Sequence, residues 1–176
     1  ALSSSLQQIQ RLAERSPLDP ATAVRIANEQ ASLLPTIDAI RITDQQGLIL
    51  NRSGATQVSV ADRAYFKAVR ANPEGLVISE LIQDRISKKW VVAMARARVG
   101  SDGSFRGIVY SYLESDHFLE LFKGFAIGQD GAIALRSDSM KVIARHTGGG
   151  STTVAGPVSS VVSQQLKDAL AVNPER

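Results

Sequence analysis

The chain has no cysteine. That single absence removes disulfides, thiolate nucleophiles and cysteine-type zinc sites together. Histidine is almost as scarce: His117 and His146 stand alone, which argues against a histidine-based metal centre. Aromatic residues make up only 5% of the chain, so each has to be placed with care. No apolar run approaches the roughly 18 residues of a membrane-spanning helix. The first residues also lack the basic-then-apolar pattern of a signal peptide. No Gly-Lys-Ser/Thr follows Gly148-Gly149-Gly150, so that run is not a phosphate loop. Rossmann and nucleophile-elbow signatures are missing too, and no pair of acids has a catalytic spacing, so an enzyme is not expected. No cofactor is expected either.

What is present describes a globular chain of 176 residues, 44% hydrophobic and 21% charged, with a mean hydropathy of -0.03. A chain of this size buries about 70% of its unfolded surface and needs no covalent staple. The net charge is +3 and the pI about 9.4, which raises the question of nucleic acid. The basic residues are dispersed, however. Arg85, Lys88, Lys89, Arg96, Arg98 and Arg106 form no continuous run. A solvated basic face is the simpler reading, and no nucleic-acid partner is expected.

The chain opens with a helical stripe, Leu2, Leu6, Ile9 and Ala13, at 4, 3 and 4 spacing. Ser16 to Pro20 breaks it. A second helix is expected from about Thr22 to Pro35. Strand signals follow. Residues 39–43 and 48–50 flank the turn Asp44-Gln45-Gln46-Gly47. A helix over 60–69, a short strand at 76–78, and long strands at 90–99 and 105–114 come next. Gly100 to Ser104 is the hairpin loop between the last two. Ser115 or Asp116 then caps a helix ending at Gly124. The fold class is α+β: a long N-terminal helix on a five-stranded antiparallel sheet. Residues 130–145 echo the hairpin pattern of residues 38–52. This implies either the start of a second unit of the same kind or a decoration of the first sheet. The expected division is 1–35 as stalk helices, 36–125 as a sensing lobe and 126–176 as a partial second lobe.

These segments resemble a known family. Asp62-Arg63-Ala64-Tyr65-Phe66 is similar to the "D-R-x-Y-F" signature of Cache domains, the extracytoplasmic PAS-like sensors of bacterial receptors. Ile78-Ser79-Glu80, residues 89–96 and residues 102–109 resemble the third, fourth and fifth strands of those domains, in order. Asp116-His117-Phe118 and Gly128-Gln129-Asp130-Gly131 resemble the helix start and the second-lobe opening. The resemblance covers roughly 36–146. Its nearest flavour is the double-Cache (PDC) sensor ahead of diguanylate cyclases and histidine kinases. It implies a periplasmic sensor domain of an inner-membrane receptor, excised from between its transmembrane helices. It also implies a homodimer paired through the N-terminal helix. The alternative within the same fold is a dimerisation or protein-interaction module with no small ligand.

Strand alternation locates a candidate pocket. Pairing Val99 with Phe105 and counting evenly sets Met94 opposite Tyr110 and Val92 opposite Tyr112. One face then collects Trp90, Met94, Arg96, Tyr110 and Tyr112, an apolar floor with hydroxyls and a guanidinium. The small set Val91, Ala93, Ala95, Ala97 and Val99 takes the other face, as if packed under a helix. By resemblance, Arg63, Tyr65 and Phe66 line the facing wall. Each has a plainer reading: Arg63 as a helix cap or the partner of Asp62 or Glu80, the aromatics as core. Amino-acid-binding relatives carry an Asp on the fifth strand, where Tyr112 stands here. Tyr112 supplies no negative charge for an ammonium. Arginines beside it favour a small organic anion, a carboxylate, over a free amino acid.

Overall fold

The computed structural model describes residues 19–32, 40–52, 56–137, 139–150 and 152–154. The stripe of Leu2, Leu6, Ile9 and Ala13 and the segment after Val154 lie outside the described residues. The chain divides into two compact units, one up to Glu114 and one from Ser115. The helix that starts at Ser115 therefore groups with the second unit.

In the first unit, helix α1 (Pro20–Ala31) starts two residues earlier than the apolar spacing predicts. Asp19 is the reason. Its Oδ1 accepts from the Ala21 and Thr22 amides at 2.9 and 3.0 Å, and its Oδ2 accepts from the Thr22 hydroxyl at 2.7 Å. Pro20 occupies the first helical position, where its missing N–H costs nothing. Ala23, Ile26 and Ala27 are buried, one stripe of the helix.

Four strands follow: β1 (Ile40–Ile42), β2 (Val77–Gln83), β3 (Trp90–Val99) and β4 (Phe105–Glu114), with helix α2 (Ala64–Ala71) between β1 and β2. All pairs are antiparallel and the sheet order is β1-β4-β3-β2. The α+β class expected from the sequence is the class observed. The strand expected at 48–50 is reduced to bridges between Thr43 and Ile49 and between Leu48 and Ser59. Side chains have taken over part of its ladder, beside the Leu50 amide's bond to the Ile42 carbonyl and the Asp44 amide's bond to the Leu48 carbonyl. Asn51 Oδ1 accepts from the Ile42 amide and Asn51 Nδ2 donates to the Ile40 carbonyl, while Asp44 Oδ1 accepts from the Gln46 and Leu48 amides. Polar side chains of this kind compete with a regular ladder.

Helix α2 lies across the sheet. Tyr65, Phe66 and Val69 form its buried stripe. Beneath it, Ala93, Ala95 and Ala97 are fully buried. Three small residues on one strand face let the helix approach closely, as their spacing predicts. The same cluster includes Val60, Val91, Ile108, Tyr110 and Tyr112.

One irregularity in β4 changes the faces. Val99 does pair with Phe105, but Arg98 pairs with Gly107, so Arg106 is an extra residue in β4. From there on Ala95 faces Tyr110, and Ala93 faces Tyr112. Gly107 carries φ of +120°. A Cβ on it would lie 2.2 Å from the Thr43 carbonyl oxygen. Arg98, itself buried, donates to that same carbonyl at 2.7 Å and to the Arg106 carbonyl at 3.3 Å, which fastens the bulge. A second bulge in β2 sets Ser79 and Glu80 together opposite Ala93, between the Ile78–Met94 and Leu81–Val92 pairs.

The second unit contains α3 (Ser115–Lys123), β5 (Ala132–Arg136), β6 (Val142–Thr147) and β7 (Thr152–Val154). Its sheet is antiparallel in the order β5-β6-β7, and α3 packs on β6 and β7. Among its described residues, Val142, Ile143 and Ala144 are the buried apolar ones. The hairpin expected after Asp130 is present.

Candidate functional site

The α2 face of the first sheet carries the densest group of aromatic hydroxyls. Tyr110 and Tyr112 project from β4, and Tyr65 descends on them from α2. The rings of Tyr65 and Tyr110 lie 5.4 Å apart, and those of Tyr110 and Tyr112 5.2 Å apart. The Tyr65 and Tyr112 hydroxyls are hydrogen-bonded at 3.2 Å. Burial drives all three phenols above their ordinary pKa. They are therefore neutral donors and acceptors at any physiological pH. Phe66 continues the aromatic layer away from the hydroxyls, edge-on to Phe105 at 5.8 Å.

Arg63 stands immediately before α2. Its Nη2 donates to the Gln83 carbonyl at the end of β2, at 2.8 Å. Its Nε is buried without a hydrogen-bond partner. The positive charge is felt by Tyr65 and Tyr112, whose phenolate forms it favours. Arg63 makes no side-chain cap and no ion pair with Asp62 or Glu80 among the described residues. The neighbouring Asp62 instead pairs with Arg85, which also donates to the Ser59 carbonyl at 2.7 Å. These contacts tie the segment leading into α2 to the β2–β3 turn.

Asp84 completes the site and was not foreseen. It is 6% exposed at the start of the β2–β3 turn. Its Oδ2 accepts from the Ser87 amide at 2.7 Å and the Ser87 hydroxyl at 2.9 Å. Burial works against its charge. Hydrogen bonds from the Ser87 backbone and hydroxyl, the Ile86 backbone and the Tyr112 hydroxyl outweigh that burial and hold the carboxyl below its ordinary pKa. An Asp three residues before a Ser between two strands is a turn signal, and that spacing is what makes Asp84 legible.

The structure thus brings together Arg63, Tyr65, Phe66, Tyr110 and Tyr112. It separates them from Trp90, Met94 and Arg96. Even counting had put those three on the face of Tyr110 and Tyr112. The extra residue Arg106 moves the tyrosines to the face of Ala93 and Ala95, so Trp90, Met94 and Arg96 alternate to the other side of the sheet. Met94 is buried there opposite Ser111, and Arg96 is half-buried opposite Val109.

No protein-family model matches the chain, and no curated protein matches it. Solved structures do. The extracellular domain of a histidine kinase, rpHK1S-Z16, superposes with a TM-score of 0.74 at 24% identity, over 89% of this chain and 67% of that one. The ligand-binding domain of the Campylobacter jejuni chemoreceptor Tlp3, in complex with L-valine, gives 0.65 at 12% identity, over 97% and 70%. The ligand-binding domain of the Pseudomonas fluorescens chemoreceptor CtaA, in complex with L-serine, gives 0.62 at 19% identity, over 99% and 72%. The fold of this chain is therefore that of extracytoplasmic sensor domains.

Proposed function

We propose that this chain is the ligand-binding part of a double-Cache sensor domain. It faces the periplasm in a membrane-anchored receptor and binds a small carboxylate-bearing molecule on the α2 face of its first unit. It does no chemistry itself. Occupancy biases two arrangements of a dimer joined through the N-terminal helix, and the cytoplasmic output is a diguanylate cyclase or a histidine kinase. Such coupling requires the ligand to prefer one arrangement.

The observation that carries this reading is Arg63. Its buried, unpartnered Nε sits beside a cluster of neutral tyrosine hydroxyls. A carboxylate would take that donor in a charge-assisted bond. The fold's likeness to domains with small molecules bound supports the same reading. An anion is favoured over a free amino acid because two nearby acids are committed, Asp84 to Ser87 and Asp62 to Arg85. One observation favours a second reading, an interaction module of the same fold without a small ligand: Tyr65 and Tyr110 are only 2% and 1% exposed. Calorimetry with short carboxylates and with amino acids separates the two. A carboxylate should bind, and Arg63→Ala should weaken it at least tenfold. Amino-acid binding that survives Arg63→Ala contradicts the anion reading. No binding of any kind favours the interaction module.

A further inference from the structure

Arg41 lies in the middle of β1, between Ile40 and Ile42, which are 2% and 0% exposed. Strand alternation sends the isoleucines to one side of the sheet and Arg41 to the other. In register, Arg41 is opposite Tyr110. Its charge reaches that phenol, favouring the phenolate against burial. Arg41 therefore faces the same side as the tyrosine cluster. Its Nε is buried and unpartnered, and it makes no hydrogen bond or ion pair with any described residue. A guanidinium nitrogen withdrawn from water without an acceptor is costly, and an acidic group supplied from outside would remove that cost.

The sheet order fixes where the two arginines stand. Strand β1 is one edge and β2 the other, with β4 and β3 between. Arg41 comes from the β1 edge, and Arg63 is anchored on the Gln83 carbonyl at the β2 edge. The hydroxyls of Tyr110 and Tyr112, on β4, lie between these edges. A neutral polar strip is thus flanked by two cations, each with a buried donor left unsatisfied. A ligand with one carboxylate satisfies only one of them.

We propose that Arg41 is a second anion-binding residue of the α2 face and that the ligand is a small dicarboxylate, one end on Arg63 and the other on Arg41. This rests on the site reading given above. The bond at each end is charge-assisted and, with a guanidinium fork, can be bidentate.

The test is calorimetry with dicarboxylates of three to six carbons and with monocarboxylates of the same lengths, succinate against butyrate being one pair. At least one dicarboxylate should bind tenfold or more tighter than its matched monocarboxylate. Arg41→Gln should abolish that preference, and Arg41→Lys should restore part of it. Equal binding of mono- and dicarboxylates by the unmodified chain overturns the role of Arg41 and leaves the site reading intact. That comparison needs no variant, so a misfolded one cannot obscure it. Failure of every carboxylate to bind overturns both. A preference that persists in Arg41→Gln also overturns the proposal.

Discussion

Tyr65 and Tyr112 satisfy each other where water does not reach, so each hydroxyl is worth most while its partner is present. Replacing one by Phe takes a partner from the other. Each single change, Tyr65→Phe or Tyr112→Phe, should cost about 0.5–1.5 kcal/mol in urea denaturation. The double change should cost less than the sum, because both single changes lose the same shared bond. Gly107 is the second residue whose identity is forced. Gly107→Ala would combine a φ of +120° with a Cβ driven against the Thr43 carbonyl. At least about 2 kcal/mol of destabilisation is expected, read as a fall in the urea midpoint.

At the scale of elements, the β2–β3 turn and the α2–β3 contact matter most. Asp84 has a folded pKa below its unfolded one. Its contribution is therefore present above the unfolded value, near 3.8, and is lost as pH falls through the folded value. Stability measured from pH 6 downward should fall through that range, and Asp84→Asn should flatten the fall. A curve as steep in the variant would assign the acid transition to other carboxylates. Under α2, Ala95 is fully buried. Ala95→Leu should lift the helix at a cost of about 1–3 kcal/mol and disturb the tyrosines above it. The sequence showed the alternation of β3 plainly, because its small apolar residues recur without interruption. It hid the bulge in β4. Arg106 reads as an ordinary outward residue, and only Gly107 beside it hinted that the backbone leaves the regular strand there. That one residue decided which side of the sheet received Tyr110 and Tyr112. Arg41 was legible by the same alternation, as a charge between two isoleucines.

For the molecule as a whole, the order of elements was readable because turn residues separate strands of distinct composition, and solved sensor domains share the resulting fold. The site was harder. As proposed, it draws on β1, α2, β2, β4 and a turn, which only long-range pairing that local periodicity does not encode brings to one face. The central claim is that the α2 face, and not the face of Met94 and Arg96, receives a small anion. Backbone amide chemical shifts of the isotopically labelled chain, followed while a carboxylate is added to saturation, test it directly. The shifts are expected to concentrate at Arg41, Arg63, Tyr65, Asp84, Tyr110 and Tyr112. Shifts confined to Val92, Met94, Arg96 and Leu113, or no shifts with any carboxylate, would contradict the account.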